Sequence, residues 1–561
     1  MSTQTRRKFL KQCSAGLSAA AVSSPIVATA GTAQQKPNII FILCDDMGYG
    51  DLGCFGHPDI QSPNLDKLAE DGITLTDCYA AAPVCSPARS GAMTGRIPHR
   101  TGIKNYISKL SDVHLNTDEI TVAELLKDAG YTTCLTGKWH LCGKFRELDT
   151  HPMPDDQGFD YYFGTENNSK PTHHNPGNFY RNGVKLDQLQ GYSSDLIVDE
   201  AIDWLDTKRD TSKPFFLYVA FHSPHEPIAT APEFKDMYSD NTVYDPQTDA
   251  YTYREYFGNV TQMDYATGRL LDYLDAEGLR DNTFVMFTSD NGPETYDRYN
   301  GSWYSVGSAG PLKGRKLQVH EGGIRVPGIV RWPGQVTPGS TSSEPINGVD
   351  LLPTLCEIAG SEVPQDRAID GASFLPVFEG NSVDRTTPLF WEFDYAEMCP
   401  EVVIGERTDC EMHAGEYGWI PTKAVRMGDW KLLANRDYSD IELYNLSDDI
   451  GEENNLVDDY PQRVQEMLDI MKNMVAEVNE EGNHDGPIIY TATTVPLLRR
   501  NFRNSEKRVE IFTMSGKRVA GITTKETVVP ITQFCLPYGS YIAVVNGKAR
   551  HMINSRTVMR L

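Results

Sequence analysis

The sequence predicts an α/β fold: a large, mostly parallel sheet flanked by helices, then a smaller antiparallel subdomain with one packing helix, then a small C-terminal β unit. Three observations carry that expectation. Short apolar runs, PNIIFILCDD (37 to 46), FFLYVAFHSPHEP (215 to 227) and TFVMFTSDNG (283 to 292), suit strands buried on both faces of a parallel sheet. Amphipathic stretches between them, NLDKLAEDG, VAELLKDAG and SDLIVDEAIDWLD, carry Leu, Ala and Ile at helical spacing, and Gly closes two of them. Beyond about residue 385 the pattern changes to alternating stretches, KAVRMGDWKLLANR and IELYNLS, followed by the helix-like PQRVQEMLDIMKNMVAEV.

Taken in chain order, the first thirty residues hold four bases and no acids, then a mildly apolar small-residue stretch ending Ala28-Thr29-Ala30. The string TRRKFLK resembles a twin-arginine export signal of bacteria, which implies the export machinery as a partner and a periplasmic, extracellular or cell-surface location. No later segment has the run of roughly 18 apolar residues that a membrane span needs. The domain reading is a signal at 1–30, a catalytic α/β domain at 36–385, a subdomain at 386–482, a linker at 483–505 and the β unit at 506–561. RVEIFTMSG, VVPI and GSYIAVVNG supply the strand-like pieces of that last unit, which resembles the sorting or attachment domains of some secreted bacterial proteins.

The 561 residues are 40% hydrophobic and 23% charged, as in a globular enzyme. Lys and Arg number 52 against 77 Asp and Glu, a net charge of -25, so a nucleic-acid backbone would meet repulsion. An anionic substrate must therefore be steered by a local basic pocket. The eleven cysteines show no paired CxxC spacing, which argues against a zinc site and a disulfide framework. Cys399 and Cys410 are equally readable as a pair or as two free thiols.

Strand ends are where ligands gather in such sheets, and the first and third runs end in Asp45-Asp46 and Asp290-Asn291. The segment AAPVCSPARSGAMTGRIPHRTG (81 to 102) puts Cys85 four residues before Arg89 at a helix start. A cation and helix N-terminal amides favour negative charge on that thiol.

CSPAR followed by SGAMTGR resembles the signature of type I (formylglycine-dependent) sulfatases, arylsulfatase-like members of the alkaline phosphatase superfamily. GKWHL, PHEP, SDNG, EGGIRVP and LYNLSDDIGEENNL fall at matching places over roughly residues 37 to 460. The resemblance implies an alkaline phosphatase-like fold and hydrolysis of sulfate esters, with Cys85 oxidised by a separate maturase to formylglycine, whose hydrate attacks sulfur. It implies one Ca²⁺, or Mg²⁺, held by Asp45, Asp46, Asp290, Asn291 and residue 85, an oxygen set that suits a hard cation. Arg89 would hold the modified residue, Lys138 and His140 would contact the hydrate and sulfate, and His225 would be the general acid. Either Lys313 or Lys316 could be the active-site lysine; the family's spacing back from Glu321 selects Lys316, although Leu317 stands where Gly is usual. Cys142 likewise replaces a common Gly.

The stretch TENNSKPTHHNPGNFY (165 to 180), with His173 and His174, reads as a sugar-facing surface, and ETYDRYNGSWY (294 to 304) as its opposite wall. Candidate substrate contacts are His173, His174, Lys138, His225 and Lys316. The expected substrate is a sulfated carbohydrate or aryl sulfate, with a galactose- or N-acetylgalactosamine-type sulfate favoured. The alternatives are a phosphonate or phosphate ester hydrolase of the same superfamily and a noncatalytic surface glycan-binding protein.

Overall fold

A computed structural model describes residues 36–108, 111–145, 151–238, 252–295, 304–394 and 421–481, and the backbone of six strands between 507 and 560. The signal at 1–30, Cys399, Cys410, the linker at 483–505 and most of the 294–304 stretch lie outside the described residues.

The apolar runs form the centre of a ten-stranded mixed sheet. Its five middle strands, in the order Thr283–Ser289, Asn38–Asp45, Phe215–Pro224, Thr132–Lys138 and Tyr161–Thr165, all run parallel. Gly328–Arg331 joins one side antiparallel, and the short pair Tyr180–Arg181 and Val184–Lys185 extends the other. Asn38–Asp45 lies at the middle and is buried along its whole length, as a strand with cover on both faces must be.

Alternation along that strand divides the core into two layers. Ile39, Phe41 and Leu43 face one, with Ala88 and Ala92 of helix Cys85–Thr94, Val122 and Leu126 of helix Val122–Asp128, and Leu352 and Leu355 of helix Leu351–Ala359. Ile40, Ile42 and Cys44 face the other, with helices Pro63–Glu70, Ser193–Asp203 and Thr252–Ala276. Thr121 starts its helix with a reciprocal cap: its hydroxyl accepts the Glu124 N–H, and Glu124 accepts the Thr121 N–H at 2.7 Å.

The smaller sheet is antiparallel, in the order Leu389–Glu392, Lys423–Met427, Trp430–Ala434, Ile441–Asn445. Helix Pro461–Glu481 covers one face, where Met467, Met471 and Val478 pack on Val425, Leu432 and Leu443. The other face sends Trp391, Ala424, Leu433 and Tyr444 against Val84, Cys85, Leu317 and Ile324. The small sheet therefore roofs the segments on either side of the expected site. In the C-terminal unit, Arg518–Thr524, Lys507–Thr513, Ser540–Val545 and Lys548–Asn554 pair antiparallel, and Val528–Pro530 pairs with Val558–Arg560. Among the described residues no helix is long and apolar enough to cross a membrane.

Candidate active site

Four parallel strands end at one place and deliver Asp45, Lys138, His225 and the Asp290-Asn291 pair. Neighbouring residues of a strand point to opposite faces, so two consecutive aspartates need a break to converge. The break is at Asp46, whose φ of 64° turns the chain left-handed, a conformation Asp tolerates better than most residues. Its N–H donates to Asp290 Oδ1 at 3.2 Å, and Asn291 Nδ2 donates to Asp46 Oδ1 at 2.7 Å. Gly292 is required behind them: a Cβ there would lie 1.9 Å from the Gly322 carbonyl oxygen.

Basic side chains interlock with these carboxylates. Arg89 is one helical turn beyond Cys85, on the same face. It donates through Nε to Asp290 Oδ2 at 2.9 Å and through Nη1 to the Lys138 carbonyl at 3.0 Å. Lys138 Nζ donates to Asp45 Oδ2 at 2.6 Å, and Lys316 Nζ reaches both oxygens of Asp46 at 2.6 and 2.7 Å. Lys313 points elsewhere, to the Glu452 carbonyl. The Lys316 loop is stitched to both sides of the site, since the Lys316 N–H donates to the Pro293 carbonyl and the Leu317 N–H to the Pro83 carbonyl. Leu317 occupies φ 72°, the left-handed region that glycine enters without strain, and its side chain is spent on the cluster under the small sheet.

Cys85 is the first residue of its helix, with Pro87 inside the first turn, where its missing N–H is harmless. The thiol differs from the sequence expectation. Burial raises it, and Lys138 and Lys316 do not offset that, while Asp45 and Asp290 add to the rise. The thiol is protonated because the small sheet covers it, an effect invisible to a local reading of helix and arginine.

The imidazoles are held by backbone carbonyls. His140, at φ 56°, has Nε2 3.0 Å from the Ile107 carbonyl, which makes Nε2 the donor and leaves the buried Nδ1 as an acceptor with no partner among the described residues. Burial and Lys138 push this imidazole well below its ordinary value. His225 directs Nδ1 to the Glu226 carbonyl at 2.5 Å, and its Nε2 lies 3.4 Å from Asp46 Oδ2. Burial, then Lys316, pushes His225 down to about 3. His173 is buried, 3.3 Å through Nδ1 from Asn259, and His174 is turned outward and stacked on Tyr192. Cys142 is buried in the core layer beside the helices.

Three carboxylates out of water resist sharing one space. Burial would raise Asp45, but Lys138, His225 and Arg89 outweigh it and hold this carboxyl well below its ordinary value. Burial raises Asp46 to about 6, against Lys316, and burial with the neighbouring Asp45 raises Asp290 to about 7. Asp45 Oδ1 and Asn291 Oδ1 are buried oxygens without a hydrogen-bond donor among the described residues. Crowded acids plus unsatisfied acceptor oxygens fit a hard divalent cation. Among the described residues one group of acidic and histidine ligand atoms gathers within 4.8 Å, that of Asp45, Asp46 and His225.

Two further participants come from the stretches read in the sequence as sugar-facing walls. Glu294, buried, lies 3.6 Å from Lys316 Nζ. Asn168, from the stretch read as a sugar-facing surface, turns inward to Lys138. An acid four residues after Asp290 was the visible signal for the first, whereas the inward turn of Asn168 has no local signature.

With known proteins the agreement is extensive. The sulfatase family model matches residues 37–361, and that of the N-sulphoglucosamine sulphohydrolase C-terminal region matches 315–409. N-acetylgalactosamine-6-sulfatase of Rattus norvegicus is 33% identical over 408 residues, 68% of this chain and 73% of its own length. Steryl-sulfatase of Homo sapiens is 31% identical over 429 residues, 62% of this chain and 71% of its own. The crystal structure of Ps i-CgsB in complex with k-i-k-neocarrahexaose is similar with a TM-score of 0.67 and 28% identity, over 80% of this chain and 94% of that one.

Proposed function

This chain belongs to the sulfatase family and is a sulfuric ester hydrolase, and from that premise we propose that residue 85, as formylglycine, is the nucleophile of a glycan sulfatase. The observation that carries the reading is the convergence on one pocket of two acid-bearing strand ends, Lys138, Lys316 and the helix start at Cys85, whose thiol feels all of those charges.

Each group has a physical task. Lys138 and Lys316 bind the sulfate oxygens, because a sulfate ester is anionic and the rest of the chain repels it. Arg89 bridges Asp290 and the Lys138 carbonyl, fixing two strand ends against each other. Asp45, Asp46, Asp290 and Asn291 hold Ca²⁺, or Mg²⁺, which when bound withdraws charge from the ester. A maturase converts Cys85 to the aldehyde, whose hydrate supplies the attacking oxygen and a second hydroxyl through which sulfate can be expelled. A serine or cysteine lacks that second hydroxyl.

His225 presents Nε2 to the pocket and gives the leaving alcohol its proton. At rest the ring is neutral, being pushed down to about 3 by burial and Lys316. The negative charge of a bound sulfate ester acts in the opposite direction and favours the protonated ring. His140 has its free acceptor at Nδ1, the atom that takes the proton from residue 85 when sulfate departs.

The substrate proposed is a sulfated galactose- or N-acetylgalactosamine-type glycan, supported by the N-acetylgalactosamine-6-sulfatase relatives and by the oligosaccharide-bound structural neighbour. Export through the twin-arginine route, supported by TRRKFLK, would place the enzyme outside the cytoplasm, where such glycans occur. Replacing Cys85 by Ala tests the reading. Turnover of sulfate esters should vanish while the thermal unfolding profile stays intact, and an alanine variant that still turns over would overturn it.

A further inference from the structure

Asn168 stands between the two groups that the proposed mechanism asks to act on opposite ends of the ester bond. Its Oδ1 accepts from Lys138 Nζ at 3.1 Å, and its Nδ2 lies 3.0 Å from the Glu226 carbonyl and 3.2 Å from His225 Nδ1. The orientation of the amide is forced. An ammonium has only donors, so the oxygen must face Lys138, and the NH₂ group must then face His225 and Glu226.

That orientation bears on the imidazole. The Glu226 carbonyl receives His225 Nδ1 at 2.5 Å and the Asn168 amide at 3.0 Å. A carbonyl has no hydrogen to give, so the ring carries its Nδ1 hydrogen toward it, and Nε2 is the atom left for the pocket. The Asn168 NH₂ and the imidazole share that one carbonyl as acceptor, so the amide fixes the position of the group that holds the ring. The Asn168 backbone is itself held, because its carbonyl accepts from Asn178 Nδ2 at 3.0 Å.

We propose that Asn168 is a positioning residue, a single amide that ties the sulfate-binding ammonium of Lys138 to the orientation of His225 and so sets the leaving-group proton donor relative to the bound sulfate. The inference rests on the assignment of His225 as proton donor. A purely structural staple in the 165–180 loop would slow all substrates alike. A residue that aims the proton donor should matter most when the departing alcohol is a poor leaving group.

The test compares 4-nitrophenyl sulfate, whose phenolate departs readily, with phenyl sulfate, whose leaving group needs the proton more. His225→Ala and Asn168→Ala are assayed beside the unaltered enzyme. For Asn168→Ala, kcat on phenyl sulfate should fall on the order of 10-fold more than kcat on 4-nitrophenyl sulfate, a fraction of the 10² to 10⁴ that a general acid contributes. His225→Ala should show the same selectivity, more strongly. Equal losses on both esters for Asn168→Ala, or no loss, with His225→Ala selective, overturn the role of Asn168 alone. A His225→Ala variant without selectivity overturns the proton-donor assignment and the inference with it. Should Asn168→Ala not fold, Asn168→Ser, which keeps a shorter donor and acceptor, carries the same comparison with a smaller expected selectivity.

Discussion

Replacing Lys431 by methionine should destabilise the roof of the active site by about 3 to 5 kcal/mol, the usual range for breaking a buried ion pair from one side. Lys431 is fully buried, with Nζ 2.7 Å from Glu321 Oε1 and 2.8 Å from Glu452 Oε1. Methionine fills a similar volume but leaves two buried carboxylates without their shared cation. Glu321 gives a second route to the magnitude. Burial alone would raise its carboxyl, yet Lys431 and Arg325 bring it from 4.5 down to about 2. At about 1.4 kcal/mol for each pH unit, that depression is worth about 3 to 4 kcal/mol, shared by Lys431 with Arg325 and Arg426. Because the folded value is depressed, the contribution is complete above pH 4.5 and is lost as the pH falls toward 2. Glu321 begins the turn that follows the Lys316 loop, and its N–H donates to Glu452 at 2.7 Å. Urea denaturation of Lys431→Met, alone and combined with Glu321→Gln, is the assay, with hydrogen exchange of residues 313–325 as the local readout. The single variant should unfold at lower urea and exchange faster, and the second substitution should recover part of the loss by removing one stranded charge. A single variant within about 1 kcal/mol of the parent would refute the reasoning.

Three further perturbations probe other links of the account. Leu317→Gly should relieve about 1 to 2 kcal/mol of left-handed strain but forfeit a buried side chain, worth more than that in the cluster beneath the small sheet, so calorimetry should show a lower Tm; a higher one would contradict the ordering of the two effects. Gly137→Ala, at φ 110°, would set a Cβ 1.8 Å from the Ala220 carbonyl oxygen in the neighbouring strand, and the soluble yield should collapse; a folded variant by circular dichroism would show that the strands can part there. Burial, then Lys104 and Lys423, lowers His99 to about 3 from 6.5, so its contribution is present above pH 6.5 and lost as pH falls toward 3, up to about 5 kcal/mol. His99→Gln should therefore flatten the decline of Tm between pH 7 and 4, and an unchanged decline would remove His99 as its source.

Local sequence carried the frame of the fold because its signals are local. A strand buried on both faces needs a continuous apolar run, and Asn38–Asp45, Phe215–Pro224 and Thr283–Ser289 each hold one, Ile39 to Cys44, Phe215 to Phe221 and Phe284 to Phe287. The acids and histidines at their ends stand out against that background. Lys316 rather than Lys313 reaches Asp46, and only the resemblance, through the family's spacing back from Glu321, separated the two in the sequence. The protonation of Cys85 was not legible, since it depends on burial in a cluster that includes Trp391 and Leu433, more than 300 residues away in the chain. Asn168 reads as one more polar loop residue until Lys138 and His225, on different strands, are seen on either side of it. The left-handed turn at Asp46 is likewise concealed, because two aspartates in a row give no hint that both carboxylates share a face.

The proposed chemistry turns on residue 85, and the mass of the peptide that contains it, taken from active enzyme made in its native host, tests it directly. The account predicts an aldehyde in place of the thiol in the fully active fraction. An intact cysteine in protein that hydrolyses sulfate esters at full rate would contradict it.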